Sequence, residues 1–123
     1  MSEATEKIVY IATHGGENPE MASLPFVLAN AALAMEVEAV VALQGFAVSL
    51  AKEGCLQHVF AAGLPPLQEL VESFLAEGGR LLVCVPCIRE RKLEEADLIK
   101  GAEPTAAAKL TQEILTANAT LVY

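Results

Sequence analysis

The stretch Ile8–Pro19, IVYIATHGGENP, decides how the chain is read. Ile8 to Ala12 is a short apolar run rich in β-branched residues, the composition of a buried strand. Thr13-His-Gly-Gly ends it. Gly15 and Gly16 permit a tight turn and close backbone approach. Asn18 is a good N-cap. Pro19 suits the first helical position, where a missing N–H costs nothing. A strand, a glycine turn and a helix start in direct succession open a β-α unit.

The same alternation continues outward. The segment through Met35 is rich in Ala and Leu and reads as a helix, with Pro25 expected to kink it or Ser23 to cap a second start. Val37 to Leu43 is a second strand, apolar throughout because it is covered on both faces. Gln44-Gly45 closes it, and Phe46 to Glu53 reads as a short helix stopped by Gly54. Leu56 to Phe60 is a candidate short extended segment. Pro65-Pro66 opens a helix from Leu67 to Ala76, with Leu67, Leu70, Val71, Phe74 and Leu75 at helical spacing. Gly78-Gly79 ends it, and Leu81 to Val85 is the next strand. Leu93 to Ile99 reads as a helical turn. Thr105 is expected to cap a last helix reaching about Thr116, and Ala119 to Tyr123 to form a terminal strand. This order predicts one domain, residues 1–123, of the α/β class: a mainly parallel sheet with helices on both faces.

Composition narrows the function. The chain has 123 residues and a formal net charge of −8. Its eight Lys and Arg are scattered, apart from Arg89, Arg91 and Lys92. Nucleic acid and anionic membrane surfaces are therefore poor partners. No uncharged apolar run approaches the ~20 residues that span a bilayer. The amino terminus, MSEATEKIVYIATHGG, does not read as a signal peptide, so a cytoplasmic protein is expected. Three cysteines, an odd number, do not suit a secreted disulfide framework. The hydrophobic fraction of 54% is high for this length, which predicts apolar surface buried between subunits.

In open α/β sheets, ligands bind beyond the carboxyl ends of the strands. Three such ends are readable: Thr13-His-Gly-Gly, Gln44-Gly-Phe, and Cys84-Val-Pro-Cys. Parallel neighbouring strands bring them to one rim. The Gly15-Gly16 turn is neither GxGxxG nor a Walker loop, so neither a dinucleotide nor a nucleotide is expected, and no cofactor is predicted. At a strand end Cys84 has access to solvent, and following N–H groups and Arg89 are placed to steady a thiolate, the form that attacks. The opposing reading is a small buried core residue. Cys87 is at disulfide spacing from Cys84. Pro86 inside the pair is similar to thioredoxin-type motifs, but those open a helix, whereas Cys84 reads as embedded in a strand. Structural zinc needs four ligands, so His14 and Cys55 would have to join the pair, without a second C-x-x-C; no metal is expected. His14 is a candidate acid–base group or a satisfied loop residue. His58 and Cys55 read as structural.

Four segments together resemble the DsrE/DsrF-like family of sulfur-relay proteins, which includes TusD-type subunits and small stand-alone members. They are ATHGGENPE after the first strand, LANAALAM in the first helix, LPPLQELVESFLAEGGRLLVC into the cysteine strand, and CIRERKLEEADLIKGAE after it. The resemblance covers nearly the whole chain. It implies a three-layer α/β/α sandwich of about five strands, assembled as a homotrimer or homohexamer. It also implies that Cys84 carries sulfur as a persulfide, passed between donor and acceptor proteins. Cys87 matches a second cysteine of some members. The chain departs from the family in having Met35-Glu-Val where a glycine follows the first helix. It also has Arg89-Glu-Arg-Lys where relay subunits have Arg-Arg-Gly. These departures bear on a strict relay role and not on the fold.

On this reading Cys84 and Cys87 carry the chemistry, and His14, Gly15, Gly16, Asn18, Gln44, Gly45 and Arg89 shape the rim that meets the substrate. Two other readings stay open. One is a non-enzymatic oligomeric module that binds a small ligand or partner, with the cysteines as spectators. The other is a dithiol redox protein using Cys84 and Cys87.

Overall fold

Five strands pair side by side into one sheet in a computed structural model that describes residues 5–123. Residues 1–4, the first part of the segment read as lacking a signal peptide, lie outside the described residues. The strands are β1 Lys7–Ala12, β2 Glu38–Leu43, β3 Arg80–Cys84, β4 Ala102–Thr105 and β5 Ala119–Val122. They lie in the order β4-β3-β2-β1-β5, and every neighbouring pair is parallel. The α/β class and the parallel sheet expected from the alternation are both present.

The helices are α1 Pro19–Ala34, α2 Leu67–Ala76, α3 Val85–Glu90 and α4 Ala107–Leu115. Alternate residues of each strand face opposite sides. Tyr10, Ala12, Val41, Leu43, Leu81 and Val83 pack with Phe26 of α1 and with Leu67, Val71 and Phe74 of α2. Val9, Ile11, Val40, Ala42 and Leu82 face the other way, toward Leu110 and Ile114 of α4. The result is three layers, with one helix alone on the second face.

Asn18 caps α1 as expected: its side chain accepts from the Met21 N–H at 3.2 Å, and Pro19 follows at the first position. Four local expectations are corrected. Pro25 does not restart the helix, which runs unbroken to Ala34, and Ser23 donates back to the Pro19 carbonyl at 2.7 Å instead of capping. Leu56 to Phe60 is not a strand; Leu56–His58 is a single 3-10 turn. The segment after β2 is a 3-10 helix, Gly45–Ala51, rather than an α-helix. Thr105 does not cap α4. It ends β4, its hydroxyl donates to the Glu103 carbonyl at 2.8 Å, and the helix begins at Ala107.

The fifth strand is therefore β4. Pro104 hides it in the sequence, since proline cannot donate to a ladder and normally argues against a strand. It is tolerated here because β4 is an edge strand. Among the described residues no helix is long and apolar enough to cross a membrane.

Candidate functional site: a thiol pair at the carboxyl rim

Cys84 is the last residue of β3, and Val85 the first of α3. The cysteine is thus both a strand end and a helix opening, which the sequence reading had treated as exclusive. The strand fixes Cys84 and the first turn of α3 brings Cys87 back beside it. The two are free thiols, both half-buried, with sulfurs 2.7 Å apart. The loop after β2 completes the arrangement. Gly45, at φ +57, turns its N–H to the Cys87 sulfur at 3.3 Å.

Burial pushes the Cys84 thiol above its ordinary value, and the neighbouring Cys87 sulfur adds to this. The backbone N–H of Cys87 and the charge of Arg91 pull it down. In the single chain, then, the resting form is the thiol, and the groups that favour an anion only partly offset desolvation. The cation acting on this sulfur is Arg91, whose Nη1 donates to the Cys87 carbonyl at 3.1 Å. Arg89, expected in that place, is exposed and borders a groove lined by Val85, Ile88 and Leu93.

The β1 end lies against the β2 end. Gly15 packs so tightly that a β-carbon there would meet Ser49 Oγ at 2.6 Å and the Phe46 carbonyl oxygen at 2.9 Å. This is a close approach that only glycine makes without displacing the loop. Gly16 is exposed beside Val59. His14 turns to Glu17, with Nδ1 2.7 Å from Oε2, and the other carboxylate oxygen of Glu17 accepts from the Gly15 N–H at 2.6 Å. The His14 contact, foremost, holds the Glu17 carboxyl below its usual value. Asn18 is occupied as a cap.

Cys84, Cys87, Gln44 and Gly45 thus gather at one place. Gly15 braces it, while His14, Gly16 and Asn18 form the loop alongside. Gln44 and Cys84 share a pocket of about 60 Å³ with Ala42, Leu82, Ala107 and Leu110. The α4 part of that pocket and Arg91 were not found from the sequence. The signal for α4 lay in its helical spacing, but its contact with Cys84 follows only from β4. Cys55 sits on a separate turn with its thiol raised by burial, and His58 is exposed. Among the described residues no three potential metal-ligating groups converge.

A doubly covered parallel sheet with two thiols at its carboxyl rim defines the class: an α/β protein with a thiol pair at its strand ends. The chain belongs to the DsrE/DsrF-like family, which matches over residues 6–123. The chain is 30% identical over 102 residues to the uncharacterized protein MJ0760 of Methanocaldococcus jannaschii; the match covers 83% of this chain and 37% of that protein. It therefore spans little more than a third of that relative. Among solved structures, the YchN protein of E. coli superposes with a TM-score of 0.82 at 23% identity, over 97% of this chain and all of that one. The protein of unknown function MTH1491 of Methanobacterium thermoautotrophicum gives 0.74 at 12% identity, over 98% of this chain and all of that one. These two likenesses establish the fold, which is the sandwich expected.

Proposed function

We propose that the protein is a sulfur carrier that holds sulfur as a persulfide on Cys84. The observation that carries this reading is the half-buried Cys84 thiol at the sheet rim, with a second thiol against it and a backbone N–H directed at each sulfur. Cys84 attacks the outer sulfur of a donor persulfide. A new S–S bond forms, the donor's S–S bond breaks, and the donor leaves as a thiolate that takes up the proton Cys84 gave up. The products are a donor thiol and Cys84–S–SH, with no net oxidation. Cys87 then has two options. It waits while an acceptor thiolate removes the outer sulfur, or it attacks the Cys84 sulfur, expels hydrosulfide and leaves a Cys84–Cys87 disulfide for an external dithiol to reduce. Arg91, and Arg89 on the exposed side, present positive charge to an approaching donor or acceptor protein.

Mass spectrometry after incubation with a cysteine desulfurase and cysteine checks this. The expected gain is one sulfur atom, about 32 Da, absent from Cys84→Ser and retained in Cys87→Ser. A sulfur adduct that survives Cys84→Ser removes the assignment. The 2.7 Å approach of the sulfurs specifically favours the dithiol redox reading as the second choice. A reversible disulfide with a defined potential and no sulfur adduct would establish it in place of the first.

The carrier is further proposed to work as a homo-oligomer, a trimer or hexamer, inside the cytoplasm. Met35, Phe60, Leu115 and Val122 each stay more than half exposed in the single chain, at 74%, 61%, 77% and 69%, which supports surfaces awaiting a second copy. Light scattering at micromolar concentration is expected to give at least three times the 13.0 kDa chain mass. A monomer at that concentration would remove the proposal.

A further inference from the structure

Cys84 ends β3, where it packs on the larger core on one side and meets the α4 face on the other. There it borders the 60 Å³ pocket between β2, β3 and the first turn of α4. Ala42, Leu82, Ala107 and Leu110 give the pocket its apolar surface, and no charged residue lines it. The Thr105 hydroxyl at its edge is already spent on the Glu103 carbonyl. The space has room for about two to four water-sized groups. A charged group placed there would lose its water and find no partner of opposite sign.

We propose that this pocket seats the substituent carried on the Cys84 sulfur, and that it admits a small uncharged one, such as the terminal –SH of a persulfide or a methylthio group, while rejecting charged thiols. The inference rests on the reading of Cys84 as the sulfur-bearing residue and adds which sulfur compounds reach it. Cys84 takes sulfur from compounds that present a small neutral end. Disulfides of ionic low-molecular-weight thiols do not exchange with it at a useful rate.

Thiosulfonate labelling tests this without any sulfur donor. The Cys84 thiolate attacks the thio sulfur of the reagent, the S–S bond forms, the bond to the sulfonyl sulfur breaks, and methanesulfinate leaves with the electron pair while buffer takes the thiol proton. The full chain with Cys87→Ser is used, so that no neighbouring thiol displaces the label. Cys55 is the internal reference. The probes are methyl methanethiosulfonate and its sulfonatoethyl and trimethylammonioethyl analogues, one neutral and one of each charge. The two charged reagents together cancel the effect of the protein's own negative charge.

At Cys84 the neutral reagent is expected to outpace both charged ones by about tenfold more than it does at Cys55. Ala107→Leu, at an exposed helical position on the pocket edge, is expected to slow methylthiolation of Cys84 about tenfold and leave Cys55 unchanged. Charged reagents that label Cys84 as readily as Cys55 overturn the proposal, and so does an unchanged Cys84 rate in Ala107→Leu. Selectivity without a sulfur adduct from the desulfurase would remove the carrier reading and leave the pocket assignment standing. An adduct without selectivity would remove the pocket assignment alone.

Discussion

Glu113→Gln is expected to lower the melting temperature by roughly 10–15 °C, a loss of about 3 kcal/mol. Glu113 lies on α4, is 4% exposed, and is pinned between two cations of the sheet. Lys7 of β1 reaches one carboxylate oxygen at 2.9 Å, and Arg80 of β3 bonds both oxygens, the shorter contact at 2.5 Å. Lys109 stands 3.5 Å away on the same helix. α4 holds its face of the sheet with little apolar surface, chiefly Leu110 and Ile114, so this ion cluster is a main attachment. Removing the carboxylate charge leaves Lys7, itself 8% exposed, with neutral acceptors only, the Thr116 hydroxyl and an amide oxygen. An uncompensated buried charge is the costly outcome of breaking such a cluster.

The same cluster gives a pH signature. Arg80 first, and Lys7 after it, hold the Glu113 carboxyl down to about 2 from an ordinary 4.5. A depressed carboxyl contributes stability that is fully present above its unfolded value and is lost as pH falls through its folded value. The stabilisation, about 3 kcal/mol before screening at the half-exposed Arg80, is thus intact above about pH 4.5 and gone near pH 2. Thermal melts from pH 7 to 2 should show this acid branch in the parent protein and a flatter one in Glu113→Gln. A variant melting within 2 °C of the parent at pH 7, about half a kcal/mol, contradicts the account.

What could be read in advance follows physical locality. The β1 turn and the start of α1 were legible because Asn18 and Pro19 act on their own backbone. β1, β2 and β3 were legible because strands covered on both faces are continuously apolar. β4 was not, since Pro104 and Glu103 are acceptable only at the sheet edge, and being an edge is a property of the whole sheet. Losing β4 displaced α4, whose N-cap moved from Thr105 to Ala106. The site divides the same way. The thiol pair could be read from its spacing and strand-end position. The identity of its cation could not, because α3 starting at Val85 rather than later carries Arg91, four residues beyond Cys87, back onto the Cys87 carbonyl. Gly45 and Gly15 were singled out as rim residues. Their parts, an N–H to sulfur and a close backbone contact, depend on how three loops stack.

Gly79→Ala should destabilise the fold by about 3 kcal/mol, more than Gly78→Ala, although Gly78 is the residue at positive φ, +94. Gly78 has open space around its missing β-carbon, so its substitution meets only backbone strain, about 1 kcal/mol. Gly79 joins α2 to β3, and its N–H donates to the Phe74 carbonyl at 2.8 Å, which draws the two backbones together. A β-carbon at 79 would fall inside contact distance of Phe74 Cζ, at 2.6 Å, and closer still to Cε1 and Cδ1. Phe74 has nowhere to retreat: it is fully buried and meets Phe26 edge to face, with centroids 5.5 Å apart and planes at 83°. That pair joins α2 to α1, so the added methyl either breaks the aromatic contact or pushes the start of β3 out of register with Val40. Phe74→Leu costs stability alone through the lost ring. Combined with Gly79→Ala it should recover part of the second loss, because the flexible side chain clears the space. Chemical denaturation of the two single variants and the double one measures the coupling, expected at about 1 kcal/mol or more in favour of the double variant. Strict additivity would mean that the ring is not what Gly79 makes room for.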